Sequence, residues 1–444
     1  MASTYLTRTA GSTGNVQIWT FSAWIKRSRI SNADATQILF GTYTDANNRL
    51  EIGFHNANNF IVKEKQSSST NIDMTTSELL KDPSAWYNLV VAVDTTQATA
   101  SNRVKMYING SQITTWQSGY DNYPNQNYNT LANVSGRTYV IGQEGNNQYY
   151  FDGSMSHVHF VDGTAYPAST FGSTDSVTGE WSINTSPSIT MGTNGFTILK
   201  DGNTITDQSS NSNNFTLGGG TLNPTEDCPS NVFATFNPLI ANTGATFANG
   251  NTFVYRTTSG NYRRIGCTLG ATSGKYYAEF QLGASQWGGV CLTNGGDIAR
   301  TEAGNSGYMG EYADDKSVGI RHDGVVYSSG ANVSSAQWNQ GSLGTTDKLC
   351  LALDMDNKKL FLGKNGTWNV SSNPATNTGG ISLTGDSYTF CGSTSNADCK
   401  INTGNGYFGT DAISSAGTNA SGNGIFEYDV PTGFTALSTK GLNL

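Results

Sequence analysis

Charge is scarce in this sequence. Lys, Arg, Asp and Glu make up 13% of its 444 residues, about half the usual share, and no run of Lys or Arg occurs. With a net charge of −8, binding of nucleic acid through a basic face is not expected. No apolar stretch approaches the ~20 residues of a membrane-spanning helix. The opening MASTYLTRTAG has neither the charged start nor the apolar middle of a signal peptide, which predicts synthesis in a cytosol without export by the general secretory route. Cysteine is missing from the first half, all six residues falling between Cys228 and Cys399. None has CxxC spacing, so buried free thiols are expected and a structural zinc site is not. Cys391 and Cys399 are spaced to meet across a hairpin.

Glycine is abundant at 52 residues against 9 prolines, and Asn, Ser and Thr dominate the polar remainder. Aromatics at 11% and many β-branched runs can still build a core, so the composition is that of an all-β protein with Gly- and Asn-built turns. The length allows about two or three domains. Short alternating segments recur throughout: Gln17 to Ser28, two strands within Leu50 to Lys65, Met155 to Gly163, Lys275 to Gly283 and Ser317 to Ser329. The one helical pattern is TTSELLKDPSAW, Thr75 to Trp86. Strands thin out across Asp207 to Leu239, which is rich in Asn, Ser, Gly and Pro. The expected layout is therefore a domain at 1–222, a linker at 223–250 and a second domain at 251–444.

One motif appears in both halves. LVVAVD (Leu89 to Asp94) leads to VKMYING (Val104 to Gly110), and LCLALD (Leu349 to Asp354) leads to KLFLGKNG (Lys359 to Gly366). Asn-Gly closing an alternating strand is a strong hairpin signal, because both residues tolerate positive φ. The repeat is read as scaffold in two sandwiches.

In the first half FSAWIKRS, WYNLVVAVD, RVKMYINGSQI, YVIGQ and YYFDGSMSHVHFVDGTAYPASTFG follow in that order. Over residues 1–222 this resembles the laminin-G-like, concanavalin-A-like jelly rolls. The second half resembles a SPRY domain, through SGKYYAEFQL (Ser273 to Leu282), WGGVCLTNGG (Trp287 to Gly296), DKLCLALDMDNKKLFLGKNGTW (Asp347 to Trp368) and CKINTGNGYF (Cys399 to Phe408). In the last of these Thr403 stands where that family usually has Phe. The pairing, joined by TEDCPSNVFATFNPL (Thr225 to Leu239), is similar to structural proteins of marine bacteriophages. The resemblances imply two tandem antiparallel β-sandwiches on a virion surface, as a tail fibre or a capsid or tail decoration, assembled in a bacterial cytoplasm.

Concanavalin-A-like folds include glucanases, which place carboxylates as E-x-D-x-E on one strand; no such triplet occurs. Asp94 and Asp354 end apolar strands and are read as turn caps. STDSVTGEW (Ser173 to Trp181) is similar to the Asp-box turn of sialidases but has its glycine displaced. No G-x-S-x-G, P-loop or H-E-x-x-H is present, and no catalytic centre is expected. His157 and His159 share a strand face but have no third ligand in view, so packed imidazoles are expected. No cofactor is expected. Where laminin-G-like folds hold Ca²⁺ they use loop carboxylates and carbonyls, and Asp45, Asp121 and Asp152 are the carboxylates available for it.

Binding is expected in loops. Trp116 to Thr130 sets Trp116, Tyr120, Asp121, Tyr123 and Tyr128 among Asn and Gln, the mixture of ring faces and fixed polar groups that holds polar ligands. Thr301 to Lys316 resembles a partner-binding loop of SPRY domains, with Tyr308, Tyr312, Asp314 and Asp315 as contacts. Trp287 and Trp338 are assigned to the core. The expected partners are host-surface glycans or a receptor, other virion proteins and further copies of the chain. The alternative is a secreted or particle-bound glycan-binding or glycan-hydrolysing protein of the concanavalin-A-like class.

Overall fold

The structure is a computed structural model that describes residues 3–30, 36–55, 58–200, 202, 204–239, 244–257, 262–293 and 308–443. Residues 301–307 of the expected second binding loop lie outside the described residues. The chain divides into two compact units, Met1–Pro224 and Thr225–Leu444. Both are all-β and built from sheets whose pairings are mainly antiparallel.

The strands of the first unit are β1 (Tyr5–Thr9), β2 (Ile18–Arg27), β3 (Gln37–Asp45), β4 (Asn48–Phe54), β5 (Asn59–Gln66), β6 (Ser69–Leu79), β7 (Trp86–Asp94), β8 (Val104–Ile108), β9 (Ser111–Gln112), β10 (Trp116–Asn122), β11 (Thr138–Ile141), β12 (Gly153–Asp162), β13 (Gly172–Thr174), β14 (Trp181–Ile183), β15 (Phe196–Ile198) and β16 (Thr216–Gly219). Among the described residues they form an eight-stranded sheet, β10-β6-β5-β4-β3-β11-β1-β16, and a six-stranded sheet, β15-β12-β2-β7-β8-β9. Alternation decides which side chains meet between the sheets. Trp19, Phe21 and Ile25 of β2 join Phe40, Leu50, Ile52, Phe54, Val62 and Met74 in one buried core. Phe21 stacks on Phe40 at 5.1 Å and Phe40 on Phe160 at 5.3 Å. Strand β7 is apolar at nearly every position because its other face is covered too, Val90 and Ala92 packing with Tyr107, Ala168, Phe171 and Trp181.

The second unit carries β17 (Ala245–Ala248), β18 (Phe253–Arg256), β19 (Arg263–Gly266), β20 (Lys275–Leu282), β21 (Trp287–Leu292), β22 (Val318–Arg321), β23 (Val326–Ser328), β24 (Ala331–Asn332), β25 (Leu349–Asp354), β26 (Lys359–Lys364), β27 (Thr367–Trp368), β28 (Ile381–Ser382), β29 (Tyr388–Thr394) and β30 (Asp398–Asn402). One sheet runs β17-β18-β30-β20-β25-β26-β27, and the other β19-β29-β21-β22-β23-β24. Trp287 and Trp338 are buried, as expected.

The repeated hairpins are scaffold. Asn109 and Gly110 have φ of 47° and 80°, and Asn365 and Gly366 have 49° and 77°. The Asn109 side chain accepts from the Asn88 amide, and Asn365 from that of Lys348. Asp94 and Asp354 cap the turns after their strands, accepting from the amides of Thr96 and Asn357. The cysteines are free thiols, five of them buried.

Three expectations fail here. Thr75 to Trp86 is not helical: residues to Leu79 belong to β6, whose pairing with β5 and β10 outweighs a weak local preference. Trp116–Asn122 is an edge strand and not a loop. The stretch 223–250 is no free linker, since Phe233 and Phe236 are fully buried and Ala245–Ala248 pairs with β18.

Candidate functional site

The two hairpins of β4, β5 and β6 set the geometry of a polar strip. Leu50, Ile52, Val62, Ile72 and Met74 point into the core, so the alternate residues face outward. Register then places Glu51 beside Lys63, Lys63 beside Asp73, and Asp73 beside Asn122 of β10. Lys63 Nζ lies 3.4 Å from Asp73 Oδ1 and 5.1 Å from the centre of the Tyr120 ring. At the other end Arg49 Nε is 3.0 Å from Glu51 Oε2 and 3.4 Å from Glu144 Oε1. Glu144 comes from the turn after β11 and is almost wholly buried, at 2% exposure. Burial, then the hydrogen bond and charge of Glu51, push its carboxyl up to about 7 while Arg49 opposes this. Glu144 therefore holds its proton more readily than an ordinary carboxyl, and it shares Arg49 Nε with Glu51. His55 stands near Lys63, Asp73 and Glu51, and burial and Lys63 hold its pKa below the ordinary value.

Tyr120 belongs to this strip, but its sequence neighbours do not. Asp121 pairs with Met74, a core-facing residue, so it points to the opposite face. Trp116 and Tyr123 pack edge-to-face at 6.3 Å and rest on the core. Tyr128 is tied down, its hydroxyl 2.7 Å from Glu64 Oε1 and 2.6 Å from Gln66 Oε1. One hydroxyl can donate only once. A protonated Glu64 completes the set, and burial does push that carboxyl up to about 7. The expected contact role of Trp116, Asp121, Tyr123 and Tyr128 is thus corrected to packing, hydrogen bonding or the wrong face.

In the second unit Tyr308 stacks on Trp287 at 4.8 Å, and Tyr262 and Tyr327 meet both rings edge-on. Asp315 is fully buried and faces Arg264, with Nη1 3.2 Å from Oδ1 and Nη2 on Oδ2. It is a structural staple and not a surface contact, because the Ser317 amide and hydroxyl also bond it. Tyr312 is half-buried and Asp314 exposed.

His157 and His159 have rings 6.4 Å apart. His159 bonds Thr197 and is pushed down to about 3, first by burial and then by His157 and Lys200. It is a neutral packed imidazole at the edge of a cleft of about 290 Å³. Asp45 caps its own turn through Asn47 and Asn48, Asp121 is on β10, and burial raises the pKa of Asp152. Among the described residues no group of three or more acidic, His or Cys side chains is placed to hold a metal ion.

The sequence reading missed Arg49, Glu51, Lys63, Asp73 and Glu144. The signal was present for four of them, as charges at alternate positions of NRLEIGF, NFIVKEK and STNIDMT. Pairing those strands in register would have joined them. Glu144 arrives through tertiary structure alone.

Residues 2–169 match the family model of the concanavalin A-like lectin/glucanases superfamily. The strip lies wholly inside the matched residues. No curated protein matches the sequence significantly. Among solved structures, the SPRY domain of human HERC1 is 20% identical, covering 37% of this chain and 96% of that one, with a TM-score of 0.29. A heptameric SAP-like pentraxin from Limulus polyphemus is 18% identical over 40% of this chain and 78% of that one, and the TRIM65 PSpry domain 14% identical over 38% and 90%, both with a TM-score of 0.29.

Proposed function

We propose that the chain is a non-catalytic binding protein whose concanavalin-A-like unit holds glycans on the outer face of its eight-stranded sheet. The observation that carries this reading is the strip itself. Hydrogen-bonding side chains from three adjacent strands are fixed by mutual ion pairs, and the Tyr120 ring stands at their margin. Fixed polar groups beside a ring face are what a sugar requires. Glycosidases hold their two carboxyls roughly 5–10 Å apart, with the reacting carbon or a water between. The carboxyls of Glu51 and Glu144 instead share one Arg49 nitrogen, at 3.0 and 3.4 Å, so a cation engages both, which supports binding over hydrolysis.

The resemblance of the paired domains to phage structural proteins supports a place on a virion surface, as fibre or decoration. There, many copies would add weak contacts into avidity. The second unit then serves contacts with neighbouring virion proteins through the exposed rim around Tyr308 and Tyr312.

The test is a titration of the full chain against a panel of glycans by calorimetry, with Y120A and D73A. Each substitution is expected to weaken binding about tenfold, equivalent to ~1.4 kcal/mol, with an unchanged unfolding midpoint. A chain that binds no glycan overturns the reading. Immunogold labelling of phage particles tests the location, and unlabelled particles would refute it.

A further inference from the structure

Away from the strip, we infer that the cleft beside His159 binds a carboxylate on a short carbon skeleton, held by the Lys200 ammonium and the His159 ring. The cleft, of about 290 Å³, opens on the six-stranded sheet of the first unit. Val158, Phe160, Phe196 and Ile198 of β12 and β15 point into the core, so the residues between them, His159 and Thr197, face outward side by side. Lys200 follows β15 directly, and residues 185–191 and 208–210 complete the walls.

His159 is 3% exposed, and its Nδ1 lies 2.9 Å from Thr197 Oγ1. Nε2 has no hydrogen-bond partner among the described residues, which leaves it as the polar ring atom for the cleft. In the tautomer that a carboxylate selects, the Thr197 hydroxyl donates to Nδ1 and Nε2 carries the proton. Lys200 is close enough for its charge to help keep this imidazole neutral. Its ammonium forms no ion pair among the described residues. Asp207 does not supply one, because its oxygens are taken. Oδ1 accepts from the amides of Thr197 and Ser209, and Oδ2 from the Ser209 hydroxyl and the Asn213 amide.

No carboxylate lines the cleft among the described residues, whereas the hydroxyls of Ser186 and Ser210 stand at it without hydrogen bonds of their own. One cation and one ring N–H match the two oxygens of a single carboxylate. A dianion would keep an uncompensated charge in a partly enclosed site. Pro187, Ile189 and Met191 supply an apolar wall for the carbons that follow. Such a group comes either from a short free acid or from a uronate in a glycan.

The full chain is titrated with butyrate and with glucuronate, using butyramide and glucose as their uncharged counterparts, by ligand-observed NMR. At least one acid is expected to bind, about tenfold more tightly than its counterpart. K200Q should weaken that acid about fivefold or more without moving the unfolding midpoint. K200R should keep most of the binding, and Y120A on the strip should change nothing. Butyrate binding as tightly as glucuronate identifies a free acid, and glucuronate binding alone identifies an acidic glycan. No binding of either acid, equal binding of acid and counterpart, or an acid that K200Q leaves unchanged overturns the inference. An acid lost in Y120A but not in K200Q belongs to the strip and overturns it too. Neutral glycans at the strip are untouched by any of these results, so the two readings fail separately.

Discussion

Replacing Asp315 with Ala should destabilise the second unit far more than it disturbs any binding surface. Its carboxylate and the Arg264 guanidinium are both fully buried. Oδ1 accepts from Arg264 Nη1 at 3.2 Å, the Ser317 amide at 3.0 Å and the Ser317 hydroxyl at 2.6 Å, while Oδ2 accepts from Arg264 Nη2. Removing one partner leaves a buried charge without its counter-ion, which costs about 3–5 kcal/mol. That is a fifth or more of the stability of an ordinary domain, ~5–15 kcal/mol. At a urea dependence of ~2 kcal/mol per M, the midpoint should fall by about 2 M. Urea unfolding followed by tryptophan fluorescence measures this, since Trp287 packs against Tyr308, whose carbonyl accepts from Arg264. The double variant R264M/D315L removes the charge together with its partner and should recover at least half of the loss. A D315A chain within ~1 kcal/mol of the original, or a double variant whose losses simply add, would refute the reasoning.

Three further outcomes follow from the packing. Gly110 has φ of 80°, and a Cβ there would lie 2.4 Å from the Trp181 ring; G110A should cost about 2 kcal/mol or more in chemical denaturation, through backbone strain plus displacement of the indole. Glu64 has its pKa raised from 4.5 to about 7 by burial, so the folded state holds the extra proton. Its contribution is complete below 4.5 and lost as pH rises through about 7, amounting to up to ~3 kcal/mol. E64Q, which copies the protonated shape, should abolish that part of the difference between unfolding midpoints at pH 5 and pH 8. Finally, five of the six cysteines are buried, so a thiol reagent should find Cys228 quickly in the native chain and the other five after denaturation; rapid reaction of several thiols in the native state would contradict the packing.

The sequence by itself determined the class of fold, and the reason is local. Period-two alternation and Asn-Gly turns act over a few residues, so β2, β7, β8 and β26 could be located, with their hairpins, from Asn109-Gly110 and Asn365-Gly366 alone. Asp94 and Asp354 were legible as caps for the same reason, a side chain bonding its own backbone two or three residues on. Burial of Trp287 and Trp338 followed from size and apolarity.

Tertiary structure alone decided what lies next to what. A row such as Glu51, Lys63, Asp73 and Asn122 spans four strands and exists only when each register is set, and a slip of one residue would turn every member to the other face. Tyr120 and Asp121 are adjacent in the chain yet look to opposite sides of β10, so composition placed them in one site and the pleat separated them. Asp315 looked like a surface acid because acids usually are; a guanidinium from β19, 51 positions away along the chain, made it a buried staple. Glu144 reached Arg49 and Glu51 from a turn distant in sequence, and its burial there raised its pKa. Sequence periodicity carries the pattern of each strand, whereas a binding strip is a property of strands side by side, set by register, twist and the loops that fold over them.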